Sequence, residues 1–287
     1  MATATEMRKL GYDPVMAGYT DICSDPETGF TDPRDMENHA YGSMRGITSL
    51  EPGNHARGSP GASGWAAWLE EKGIYDVPDA IFTSNPDDIY STGGYPHSRV
   101  EGMVTNSEQY TAINGDGGMS MLVDADGYAA PAFHAAEHCE SAYTVETGMR
   151  HIRSRHGAPW ALHVSTFRPH PPWLASAPFA QAYHHSQCGG APRHPTIEQE
   201  GAAHPYLTDK FRAGPGGGNA PESEEELNIL RSQYLACCAE VDNSLGKLFD
   251  FLKERGEWDK TMVIFTADHV SIYAKRVSVE LDSQGHF

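Results

Sequence analysis

Trp258-Asp-Lys-Thr-Met-Val-Ile-Phe-Thr-Ala-Asp-His269 is the stretch on which the reading of the fold turns. Within it, Thr261 to Ala267 is a short apolar, β-branched run without charge, which reads as a buried strand. The run stops abruptly at Asp268-His269. An acid and an imidazole at the C-terminal end of a central strand sit where open α/β sheets place their ligands. Both side chains are good ligands for a divalent cation. Taken alone, the dipeptide reads as a strand stopping at a polar turn. What precedes it changes the reading.

Glu224 to Arg255 is the clearest helix in the chain. Leu227, Leu230, Tyr234, Cys238, Val241, Leu245, Leu248 and Leu252 recur in steps of three and four and form one apolar stripe. Ser223 is placed to cap the N-terminus, and Glu224, Glu225 and Glu226 give the first turn the sign that the helix dipole favours. Lys253 and Arg255 fall in the last turn, and Gly256 suits the residue beyond it. The stripe should lie on a sheet, and a short link then delivers the strand.

The block from Tyr234-Leu-Ala-Cys-Cys-Ala-Glu-Val-Asp-Asn-Ser-Leu-Gly-Lys-Leu to the Asp268-His269 pair resembles the sulfatases and phosphonate monoester hydrolases of the alkaline phosphatase superfamily. So does Met7 to Asp21, which ends in Gly-Tyr-Thr-Asp. The resemblance implies that Tyr19 and Thr20 reach the substrate pocket. A third block follows a second expected strand, Trp160 to Phe167, and reads Arg168-Pro-His-Pro-Pro-Trp173. The histidine of that loop, His170, is implied to lie beside the scissile bond, protonating the leaving group or holding the transferred oxyanion. Its flanking prolines restrict the backbone, so the imidazole is aimed with little entropy left to lose, and an imidazole titrates near neutrality. Asp268 and His269 are implied metal ligands, with Mn, Ca, Mg and Zn all open. The implied substrate is a small anionic sulfate, phosphate or phosphonate ester.

Thr5 to Leu10 is a short helix ended by Gly11, and Pro14 to Tyr19 a short strand. Asp21 to about Ser63 is a long loop. Gly64 to Lys72 is a helix with Trp65, Trp68 and Leu69 on one face. The segment from Gly73 to about Glu137 is irregular, an insertion or lid, with a brief strand at Met119 to Val123. Ser141 to Arg155 is a helix burying Tyr143, Val145, Met149 and Ile152. Trp173 to about Tyr183 is a short helix, and the Gly-, Pro- and His-rich stretch from Ser186 to Ala220 a connector. Helices alternating with strands Pro14–Tyr19, Trp160–Phe167 and Thr261–Ala267 predict an α/β fold. Its mostly parallel central sheet carries helices on both faces. The resemblance makes it alkaline phosphatase-like but incomplete, a partial catalytic domain over 1–287.

Composition narrows the partners. The 287 residues carry a net charge of −18 with no basic run, which argues against nucleic acid as a partner. No apolar run approaches the roughly 18 residues of a membrane span. Met1 to Leu10 lacks the apolar core of a signal peptide, so a cytoplasmic location is expected. Cys23, Cys139, Cys188, Cys237 and Cys238 show neither metal spacing nor a disulfide framework. Oligomeric state is open.

Two blocks of the family are not found. One is a strand ending in Asp-Asn or Asp-Gln. The other is Cys/Ser-x-Pro-x-Arg, whose Cys or Ser becomes the formylglycine nucleophile. Ser24-Asp25-Pro26-Glu27-Thr28 comes near but has Thr where Arg is needed. Transfer of this kind needs an activated oxygen nucleophile and a cation. Two readings therefore stand: a metal-assisted ester hydrolase, or a catalytically inactive remnant that binds an anion or metal weakly. The remnant is the expectation for the isolated chain. Val270 to Phe287 does not resemble the family's continuation and would fit a truncated reading frame. A third reading, an unrelated two-metal phosphatase, would need further ligands. Only His138, His163 and Asp242 offer them, and they read as loop, strand interior and helix surface.

Overall fold

The computed structural model describes residues 3–18, 47–50, 64–74, 111–114, 120–170, 173–188, 199, 202 and 224–267. They fall into two compact units. One comprises Met1–Pro86, His134–Pro169 and Ala239–Thr261, and the other Asp87–Phe133, His170–Cys238 and Met262–Phe287.

The first unit is built on a parallel three-stranded sheet. Helix α1 (Thr3–Lys9) ends at Gly11, whose φ of 85° suits glycine. Strand β1 (Pro14–Gly18) follows and is buried along its whole length. It pairs on one side with β2 (Thr48–Ser49), which lies inside the stretch expected to be loop. Helix α2 (Gly64–Glu71) buries Trp68 and Leu69, as its pattern predicts.

The second unit contains β3 (Thr111–Asn114) and β4 (Ser120–Val123), an antiparallel pair with Thr111 opposite Val123. The segment expected to be an irregular insertion therefore carries a paired ribbon. Asp124 Oδ1 accepts from the N–H groups of Asp126 and Tyr128 and closes the next turn.

Back in the first unit, helix α3 (Glu140–Ser154) begins one residue before the expected start. Its N-cap is Cys139, whose sulfur accepts from Ala142 N–H at 3.3 Å. Strand β5 (Ala161–Ser165) pairs with the other side of β1, so the order is β2-β1-β5. Val15 and Ala17 of β1 lie level with Leu162 and Val164 of β5. Val145 and Ile152 of α3 pack with those two β5 residues. Gly148 lets the helix come this close, because a Cβ there would sit 2.9 Å from Leu162 Cδ2. On the opposite face, Met16 packs with Ala4 of α1 and with Ile47. The parallel sheet with helices on both faces is as the sequence predicts.

Helix α4 (Glu224–Glu254) matches its expected span, with Gly256 beyond it at φ 65°. Its Glu224–Cys238 portion belongs to the second unit and the remainder to the first. Leu248 and Leu252 complete the core under β5. Leu227, Leu230, Ala236 and Cys237 pack in the second unit with Val123, Ala129 and Trp173. The buried line along the middle of α4 differs from the apolar stripe. Gln233, Cys237, Glu240 and Ser244 are buried, while Tyr234, Cys238, Val241 and Leu245 are half-buried.

Three expectations are corrected. Trp173 to Tyr183 holds only a 3-10 turn, Phe179–Gln181. Pro178 lacks the N–H a longer helix would use and disfavours helical geometry at Ala177. His163 lies on β5, but its side chain is exposed rather than interior. The third correction concerns Thr261–Ala267, which is neither a strand nor buried. A 3-10 turn, Trp258–Lys260, precedes it, and Met262 and Phe265 are 86% and 81% exposed. No described strand pairs with it. Burying such side chains is worth roughly 1.5–3 kcal/mol each, but only if a neighbour covers them. A strand in a parallel sheet needs hydrogen-bonding partners that its own sequence cannot supply.

Candidate active site

Two strand ends define the candidate site. The parallel register runs from Pro14 opposite Ala161 to Gly18 opposite Ser165, so β1 and β5 stop at the same level. Gly18 has φ 97°, and a Cβ on it would lie 2.0 Å from Ser165 O and 2.7 Å from Thr144 Cγ2. Only glycine fits there. The chain leaves β1 into Tyr19 and Thr20, which lie outside the described residues. It leaves β5 into Thr166, whose hydroxyl donates to Arg168 O at 3.0 Å. The Arg168–Pro169 peptide is cis, and His170 follows it with an exposed side chain.

Arg168 also belongs to a charged cluster in the first unit that the apolar pattern does not reveal. Glu240 of α4 is fully buried, and His134 is 6% exposed. The His134 Nδ1–H donates to Ala135 O at 3.2 Å, which leaves Nε2 as the acceptor. Burial is the main force that pushes the imidazole down to about 4. Glu240 pulls it upward, and Arg168 and His138 push it further down. His134 is therefore neutral near neutral pH. Ser244 donates to Glu240 O at 3.0 Å and lies 3.8 Å from Cys139 Sγ. The signal for this cluster was the spacing of Gln233, Glu240 and Ser244, polar residues that together follow a helical face.

Cys139, Cys188 and Cys238 are poor nucleophiles. Burial, with Glu240 next in importance, pushes the Cys139 thiol up to about 12. Burial likewise raises Cys188 and Cys238 above the ordinary thiol range. Cysteine attacks as the thiolate, which needs a lowered value.

Among the described residues, no three or more His, Cys, Asp or Glu side chains come together to hold a metal ion. Asp268 and His269 lie outside the described residues, and the run leading to them is exposed. The described residues thus do not supply a metal site. His138 lies in the turn Ala136–His138 with its ring 5.9 Å from Trp68, and Asp242 is exposed on α4. With His163 exposed on β5, the three do not converge.

His184 and His185 are half-buried in the second unit. The His184 Nε2–H donates to Asp126 O at 2.7 Å, and its Nδ1 accepts from Ser186 N–H at 3.2 Å. These bonds use both ring nitrogens to fasten a turn.

Comparison with known proteins supplies the relationship. The phosphonate monoester hydrolase of Agrobacterium radiobacter superposes with a TM-score of 0.64 and 26% identity, covering 95% of this chain and 48% of that one. The phosphonate monoester hydrolase SpPMH from Silicibacter pomeroyi gives 0.58 and 25%, covering 90% and 45%. The multifunctional alkaline phosphatase superfamily protein PehA of Trinickia caryophylli is 29% identical over 272 residues, 92% of this chain and 45% of PehA. The chain therefore spans less than half the length of PehA. Arylsulfatase K of Xenopus laevis is 30% identical over 105 residues, 37% of this chain and 17% of that protein. The Sulfatase family model matches residues 84–282, more than two thirds of the chain. That match continues past His269, further than the sequence reading carried it. The chain belongs to the sulfatase family.

Proposed function

We propose that this chain carries the leaving-group side of the active site of a hydrolase acting on sulfate, phosphate or phosphonate esters. The supporting observation is the level ending of β1 and β5 at Gly18 and Ser165. From that end of the sheet the chain runs into Tyr19-Thr20 and into Arg168-Pro169-His170. In the proposed hydrolysis an oxygen that comes overall from water forms the new bond to sulfur or phosphorus, and the bond to the leaving oxygen breaks. The His170 imidazolium gives its proton to that oxygen, or its N–H holds the transferred oxyanion. Tyr19 and Thr20 contact the anionic ester. Members of this family generally depend on a divalent metal. Asp268 and His269 are the proposed ligands, and the ion would supply charge neutralisation.

A second reading applies to the polypeptide by itself, and the exposure of Met262 to Phe265 favours it. If that run stays out of the sheet, Asp268 and His269 are not held against the ends of β1 and β5. The isolated chain is then catalytically silent.

One experiment separates the two. The purified chain is offered aryl sulfate, phosphate monoester, phosphate diester and phosphonate monoester substrates, with and without Mn²⁺, Ca²⁺, Mg²⁺ and Zn²⁺. His170→Ala and Asp268→Ala variants run alongside. Metal-dependent turnover lost in both variants supports the hydrolase reading and overturns silence. Turnover no higher than in the variants, under every metal, supports the silent reading.

A further inference from the structure

We propose that the exposed run Thr261–Ala267 recognises itself, pairing antiparallel with the same run of a second copy of this chain. This inference does not rest on the hydrolase reading.

The run offers both its side chains and its backbone. Met262, Val263, Ile264 and Phe265 are 86%, 46%, 72% and 81% exposed, so the odd and the even positions alike stand in water. Thr261 N–H donates to Trp258 O at 3.1 Å, and Thr261 itself is extended, at φ −109° and ψ 124°. Beyond it, Met262 to Ala267 make no backbone–backbone hydrogen bond among the described residues. A row of unpaired N–H and C=O groups is a template for another strand. The run contains no charge, proline or glycine, and Val263, Ile264, Phe265 and two threonines favour a pleated ribbon. Segments of this length and composition are those that pair between chains.

The charges at its two ends say which partner it fits. Lys260, which is exposed, precedes the run, and Asp268 follows it in the sequence. In an antiparallel pair centred on Ile264, Lys260 of each copy stands opposite Asp268 of the other. The same register sets Val263 opposite Phe265, Met262 opposite Thr266, and Ile264 opposite its own counterpart. Opposite charges and aromatic–β-branched partners directly across a ladder are favourable, and like charges are not. A parallel pair in register would put lysine beside lysine and aspartate beside aspartate. The segment is therefore complementary to itself only when reversed, which is the two-fold relation of an isologous interface. The charged ends also limit slippage, because a shifted register leaves them unmatched.

The test is sedimentation of the purified chain from dilute to concentrated solution, with hydrogen exchange followed in parallel. A monomer that gives way to a dimer on concentration is expected, and amide exchange from Met262 to Ala267 should slow as it does. Ile264→Lys sets a cation opposite its own copy and should stay monomeric where the wild type is paired. Ile264 is exposed, so the fold of the single copy should be unchanged, which circular dichroism checks. Lys260→Glu makes both ends repulsive and should weaken the dimer about tenfold. Combining Lys260→Glu with Asp268→Lys should restore it. A chain that is monomeric at every concentration would overturn the proposal. So would a dimer that Ile264→Lys leaves unchanged, or one that the double charge swap fails to restore. Slow exchange of the run already in the dilute monomer would show it covered by its own chain, and would also overturn the proposal.

Discussion

β1 and the run Thr261–Ala267 are both short, uncharged and apolar, yet they end in opposite environments. By side-chain preference the run is the better strand. It holds Val263, Ile264, Phe265 and two threonines, all suited to a pleated surface, whereas β1 spends three of its five positions on proline, alanine and glycine. Nevertheless β1 is the centre of the sheet. It has β2 on one side and β5 on the other, and every residue is buried. The run has no described neighbour and leaves Met262 and Phe265 in water. Pairing, rather than composition, makes the strand.

The largest test of this contrast is at the end of β1. Gly18→Val adds a side chain where a Cβ alone meets Ser165 O, at a backbone angle that valine rarely adopts. A loss of about 4 kcal/mol or more in denaturant unfolding is expected. Wild-type stability would show that the two strand ends do not lie this close in solution. Met16→Ala, in the middle of β1, should cost roughly 3 kcal/mol by leaving a cavity beneath α1. A negligible loss would place the centre of the sheet elsewhere.

Acid should act on the buried side of the comparison. His134 sits at about 4 when folded, chiefly through burial, against about 6.5 when unfolded. Between those values the unfolded chain binds the extra proton. The contribution to stability is therefore complete above about pH 6.5 and lost as the pH falls toward 4, by at most about 3 kcal/mol. His134→Gln should flatten this slope in urea titrations run across that window, and equal slopes would remove His134 from the buried cluster. The smallest effect belongs to the exposed run, where Phe265→Ser should change stability by less than about 0.5 kcal/mol. A loss as large as that of Met16→Ala would mean that the run is paired in solution after all.

The helices were legible because their signals are local. The acids at Glu224 to Glu226, the three- and four-residue steps and Gly256 all act within one helix, and α4 follows them to within a residue. β1 and β5 were legible from their punctuation by proline and glycine. Thr261–Ala267 was misread because burial depends on what lies alongside, which no window of sequence contains. Glu240 was missed for a related reason. A polar side chain on a buried face needs partners from elsewhere, and His134 and Arg168, which share its cluster, come from distant parts of the chain. Of the candidate site, the loop before His170 was legible from its prolines. Tyr19, Thr20, Asp268 and His269 lie outside the described residues.

The exposed run also bears on how long this polypeptide would survive in a cell. Chaperones hold, and proteases cut, chain that is extended and out of the core. Degradation beginning near Met262 would not have to wait for β1 to open. Its rate would then follow access to that segment rather than the global unfolding equilibrium. Mutations that stabilise the sheet would leave abundance unchanged, whereas one that shields Ile264 and Phe265 would raise it.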